Sequence, residues 1–182
     1  MPQSSPKPET EVDGATAWDA NGQLEVLTFE VGDERLAVEA VTIREILDLL
    51  PETPVPGAHA LVGSVINFRG KIIPIADLRI AFGMPLEEPT PDSRIVVIEI
   101  ELDGEETQIG LRTDKVNEVT LLERTTSAPP PVLGMRWRRT YARELARQGE
   151  AVIVLPDLPA IFASLSHPQG LGGGETSMGH AA

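Results

Sequence analysis

Cysteine is absent from the 182-residue chain, which excludes a disulfide framework, a thiolate metal site and a cysteine nucleophile. Long apolar runs are missing too. None approaches the roughly 20 residues that a membrane helix needs, and the opening MPQSSPKPETEVDG offers no apolar segment for a signal peptide. These absences predict a cytoplasmic protein with no direct membrane insertion. Basic residues are few, 15 Lys and Arg against 28 Asp and Glu, for a net charge of -13. Such a chain repels phosphate backbones and anionic lipid, so nucleic acid is excluded as a partner. The three histidines lack metal-ligand spacing. No metal and no cofactor is expected.

What is present is enough for a core. The chain is 41% hydrophobic, and its length fits one domain or two small intimate ones. Residues 1–22 mix Pro, Ser, Thr and acids and read as a disordered tail, with order beginning near Gln23. Residues 166–182 read as a second, Gly-rich tail. Its glycines fail as a phosphate loop, because Glu175 stands where the last glycine of G-x-G-x-x-G is required.

Between the tails the dominant period is two. In RIVVIEIEL, Val96, Ile98, Ile100 and Leu102 share one face while Glu99 and Glu101 take the other, so Val97 is expected to be less buried than Val96 and Ile98. Asp103-Gly104 then supplies a tight hairpin. LTFEV, GD and ERLAV repeat the strand, turn, strand pattern near the N-terminus. The two hairpins look like copies. Leu36, Val38, Ile43, Glu45 and Ile46 fall on Ile109, Leu111, Val116, Glu118 and Val119 at one constant spacing, and IIPIADL at 72–78 is echoed by VIVLPDL at 152–158. Two similar all-β units with short helices follow, and short strands favour small barrels over open sheets. Pro74 is expected on an edge strand or at a bulge. Gly70 is expected to have positive φ, and Asp77 to cap a short helix.

At INFRGKIIPIADLR the sequence resembles the CheW family of chemotaxis coupling proteins, whose signature is Asn-Leu-Arg-Gly, an apolar strand containing proline, then Asp-Leu-Arg. The likeness extends over 23–165, through LTFEVGDERLAV, VTIREI, GLRTDKVNEV, the prolines at 129–131 and GEAVIVLPDL. It implies two packed five-stranded SH3-like β-barrels, the first about 23–90 and the second about 91–165, with exchange of terminal strands left open. Phe68 replaces the usual Leu. YARELARQ lacks the expected glycines, and Trp137, Tyr141 and Leu145 recur there at helical spacing, although the family pattern implies a strand. The strand is the reading adopted.

The resemblance also implies a function. The expected protein is a non-enzymatic adaptor that joins methyl-accepting chemoreceptor tips to the regulatory domain of a CheA-type histidine kinase, in membrane receptor arrays. A coupling protein of a non-chemotaxis pathway, and a small β-barrel enzyme or ligand carrier, are the alternatives. The positions that match family residues linked to coupling are Ile43, Glu45, Arg69, Gly110 and Val116. Core packing and groove exposure both stay open for Ile43 and Val116. Gly110 reads equally as a crowded strand site. Glu45 is either solvated or held by Arg69 in a fork-geometry ion pair. Asp77 and Asp157 fit helix caps better than an acid–base pair, Ser64 has no activating partner placed by sequence, and the arginines of 136–147 read as a solvated face or as a docking patch for an acidic partner.

Overall fold

The computed structural model describes residues 16–166. Twelve strands form, in chain order β1 Gln23–Val31, β2 Glu34–Glu39, β3 Ile43–Asp48, β4 Thr53–Pro54, β5 Ser64–Phe68, β6 Lys71–Ala76, β7 Arg94–Leu102, β8 Glu105–Thr113, β9 Lys115–Glu123, β10 Ser127–Ala128, β11 Ala142–Gln148 and β12 Ala151–Pro156. Two short helices, α1 Leu78–Ala81 and α2 Leu158–Ser166, each follow an Asp. Asp77 caps α1 by accepting the Arg79 N–H, and the Asp157 carboxylate accepts the Ala160 N–H at 3.0 Å.

The strands make two curled six-stranded sheets. One runs β9-β1-β2-β12-β11-β10, the other β3-β7-β8-β6-β5-β4. These orders are the same order twice: β3 to β6 correspond to β9 to β12, and the β7–β8 hairpin to the β1–β2 hairpin. Register agrees, since Phe29 pairs with Leu36 and Val116 where Ile98 pairs with Ile109 and Ile43. Each sheet has six strands rather than five because a two-residue strand is added at one end. Neither sheet is a contiguous half of the chain. The hairpin at 23–39 joins the strands of 115–156, and the hairpin at 94–113 joins those of 43–76.

Three apolar cores result. The largest lies between the sheets and takes Phe29, Leu36, Leu111, Val96 and Ile98, with Leu158 and Ile161 of α2. A second fills the curl of the β1 sheet, with Val26, Ala37 and Ile153. The third fills the curl of the β3 sheet, with Ile66, Ile73, Ile75, Ile95 and Val97. Each such side chain contributes about 1.5–3 kcal/mol of transfer free energy.

Two-sided burial corrects three expectations. Val97 points away from Val96 and Ile98, as alternation requires, yet it is only 2% exposed because that face is the inside of the curl. Pro74 lies in β6, an inner strand, not an edge. It pairs with Val65 on one side, and the parallel pairing to β8 begins only at Ile75, so its missing N–H costs no rung there. Order also begins before Gln23. Trp18 packs against the core inside the β1 sheet and donates its indole N–H to Glu144 at 3.4 Å. Residues 1–15 and 167–182, and with them the phosphate-loop test at Glu175, lie outside the described residues. The segment 142–148 is a strand, as adopted.

Candidate protein-interaction surface

The duplicated box strands β3 and β9 each end a sheet, leaving one edge of each without a strand partner. Ile43 opens β3 after a 3-10 turn and packs, half-buried, on the inter-sheet core. Val116, second in β9, packs half-buried on the same core. Past Ile43 a bulge intervenes: Ile43 faces Ile98 but Glu45 faces Val97, so Arg44 is left over and turns outward. Two Arg44 nitrogens reach one Glu99 oxygen, Nε at 3.1 Å and Nη2 at 2.8 Å. Hydrogen bonds from Arg44, then from Gln108, hold the Glu99 carboxyl below its ordinary range. The same contact raises the Arg44 pKa.

Glu45, Val97, Gly110 and Ile75 form one cross-strand row of the β3 sheet. Gly110 is buried in it, and a Cβ there would stand 2.5 Å from Ile75 Cδ1 and 2.8 Å from Ile95 Cγ2. It is a packing position. Beside the row, Arg69 and Gly70 make the two-residue turn joining Phe68 to Lys71, with φ of 52° and 75°. The Asn67 side chain accepts the Gly70 N–H at 3.1 Å. Both central residues are left-handed, as a type I′ hairpin demands. Arginine is a costly choice there, by about 1–2 kcal/mol, because its Cβ crowds the following carbonyl. Asp103-Gly104 makes the equivalent demand with a residue that tolerates it.

Arg69 makes no contact that explains this. Its guanidinium lies over the Phe68 ring at 4.6 Å and reaches Glu45 at 3.9 Å, with three quarters of the side chain exposed. The fork-geometry pair with Glu45 is therefore absent; a single long contact between exposed groups contributes about 0–1 kcal/mol. Glu45, Arg69, Phe68 and Lys71 instead line a cleft of about 310 Å³. The structure thus gathers Glu45 and Arg69, sets Gly110 in the row beneath them, and places Ile43 and Val116 at the seam on opposite sheets.

Sequence reasoning missed two features. Ile46 and Val119, equivalent members of the box, are exposed apolar residues on the edge strands; the repeat itself was the signal, since both copies keep an apolar residue there. The second is a buried ionic chain. Arg79, 1% exposed, pairs with Asp77 and Asp114, and Asp114 accepts the Gly32 N–H at 2.7 Å. Arg112 pairs with Asp77 and Glu52, and Ser64 donates to Glu52. Burial works against the Arg112 charge, but Glu52 and Asp77 outweigh it and raise its pKa. Asp77 and Ser64 thus hold structural bonds. The chain of charges ties the β3 sheet to the turn of the β1–β2 hairpin.

Among the described residues no group of three or more His, Asp or Glu could hold a metal ion, and no helix is long and apolar enough to cross a membrane. His59 accepts the Leu61 N–H through Nδ1.

The fold is shared with known proteins. The chain is 33% identical over 144 residues to the chemotaxis protein CheW of Rhizobium meliloti (strain 1021), a match covering 79% of this chain and 90% of that protein. A probable chemotaxis protein CheW of Rhizobium etli is 30% identical over 142 residues, covering 78% and 89%. Among solved structures, the crystal structure of the scaffolding protein TtCheW from Thermoanaerobacter tengcongensis superposes with a TM-score of 0.68 at 26% identity, covering 76% of this chain and 87% of that one. The family model described as CheW-like domain matches residues 25–166, and the chain belongs to that family.

Proposed function

We propose that this protein is a non-enzymatic adaptor that couples methyl-accepting chemoreceptors to the regulatory domain of a CheA-type histidine kinase, letting receptor state control autophosphorylation. It works in the cytoplasm, held at membrane receptor arrays by its partners. Membership of a family whose named relatives are chemotaxis and scaffolding proteins supports the reading.

The observation that carries it is Arg69. A left-handed arginine that is mostly exposed and weakly paired does little for stability, and strain of this kind is kept where a residue must be presented. Arg69 with Glu45 is the polar part of the coupling surface. Ile43 and Val116 supply its apolar part at the seam, and Gly110 acts through the packing beneath it.

The test is reconstitution of the chain with a chemoreceptor and a CheA-type kinase, followed by kinase autophosphorylation. Receptor-dependent stimulation on adding the chain is expected. Absence of stimulation with every receptor of the source organism contradicts the proposal.

A further inference from the structure

A second cleft lies on other elements. It is about 700 Å³ and sits between α1, α2 and the arginine-rich segment before β11, a size typical of ligand sites. Its origin is a broken symmetry. α1 and α2 occupy equivalent places, but α1 stops after Ala81, where Gly83 at φ 65° turns the chain away, while α2 continues to Ser166. Ser164 and Leu165 of α2 therefore line open space where the matching turns of α1 are missing.

The walls of that space mix apolar side chains with His59, Thr140 and Ser164, and its rim is basic. Leu61, Ile80, Trp137 and Ile161 line it, with Trp137 fixed edge-on against Phe82 at 5.1 Å. Arg136 and Arg138 stand on the rim. Arg136 has a single 3.7 Å contact with Glu34 and is two-thirds exposed, and Arg138 lies over the Tyr141 ring at 5.9 Å. Among the described residues no Asp or Glu lines the cleft, although acids outnumber bases by 13 in the whole chain.

We propose that this cleft docks an acidic amphipathic helix from a protein partner, as an interaction surface apart from the one around Arg69. The cleft lies beside the short α1 and offers Ile80, Ala81 and Leu165 to the apolar stripe of a helix, a common mode of peptide recognition. The arginine rim, only weakly met by Glu34, selects sign, since an acidic flank is drawn to it and a basic one repelled.

The experiment needs neither receptor nor kinase. The full chain is titrated calorimetrically with three synthetic helical peptides: leucines at i, i+3, i+4 and i+7 flanked by glutamates, the same stripe flanked by lysines, and the glutamate peptide with its leucines scrambled. The glutamate-striped peptide is expected to bind, and the other two to bind at least about tenfold more weakly. The double variant Arg136→Glu, Arg138→Glu, both exposed and so expected to keep its melting temperature, should lose about tenfold for the striped acidic peptide. No binding of that peptide, equal affinity for the lysine version, equal affinity for the scrambled one, or indifference to the charge reversal overturns the proposal. So does a concentration-dependent dimer of the chain that the striped peptide cannot dissociate, for the cleft is then a self-association face.

Discussion

The two sheets hold the same strands in the same order, yet they solve two local problems differently. Inside the curl, the β1 sheet places Thr28 beside Ala37, with Ala146 and Val26 nearby. The β3 sheet places Val97 beside Gly110, with Ile66 and Ile95 in the matching positions. Methyl groups have moved from the strand that gives up its Cβ to the side chains around it, which keeps the interior filled. At the turn before the last long strand the β1 sheet uses Gly149-Glu150, where only the glycine is left-handed, while the β3 sheet forces arginine into that conformation at Arg69. The first difference compensates itself. The second is offset only by the weak contacts of Arg69 with Phe68 and Glu45, and it lies on the surface proposed for partners.

The largest effect should come from charge placed on either side of β7, in the core between the sheets or in the core inside the β3 curl. Ile98→Asp and Val97→Asp, facing opposite sides of β7, should each remove the cooperative thermal transition, because each buries an unpaired carboxylate. A variant at Val97 that melts like the wild type would show that the inside of the β3 curl is open to water.

Next in size is the ionic chain, which has no matching arginine at the α2 end of the repeat, where Pro159 stands in place of Arg79. Arg79→Met removes one partner of Asp77 and one of Asp114, leaving them Arg112 and the Gly32 N–H, and should cost about 1.5–3 kcal/mol in urea unfolding. A loss below about 1 kcal/mol would mean that the carboxylates find water instead.

Gly110→Ala should cost about 1–3 kcal/mol by overpacking. Ile75→Val, which removes the colliding Cδ1, should recover part of it when the two are combined. Simple additivity of the two losses would break the compensation just described. The smallest effect is electrostatic. In the folded protein the Glu99 carboxyl titrates below its ordinary range, so whatever stability it lends is present above the ordinary carboxylate pKa and disappears as pH falls through the lowered one. Arg44→Ala should move its NMR titration midpoint upward; an unmoved midpoint would remove Arg44 as the cause.

Features decided within a few residues were legible in the chain. Asp103-Gly104 and Gly70 turn as read, and Asp77 and Asp157 cap as read, because turn and cap geometry depend on near neighbours. The repeat was legible too. What distant strands cover was not. Val97 looked outward in a clean alternation, and only the curl of its own sheet buries it. The exchange of hairpins is invisible locally, since either partner sheet satisfies the same ladder. Nothing near Arg79 in the chain marks it as buried, because its partner Asp114 comes from a distant turn. For the candidate surface, the positions of Glu45 and Arg69 were legible, but the bulge that gives Arg44 the strong contact with Glu99 was not.

The central claim is that the strain at Arg69 is kept for contact with partners and not for the fold. Arg69→Asn tests it most directly, because it installs the Asn-Gly pair that a type I′ turn prefers. Two quantities are measured on one preparation: the unfolding free energy, and receptor-dependent kinase autophosphorylation in the reconstituted system. Stability should stay level or rise by up to about 1 kcal/mol, while stimulation falls by about tenfold or more; Glu150→Ala, in the matching turn of the other sheet, should change neither. Full stimulation by Arg69→Asn would contradict the account.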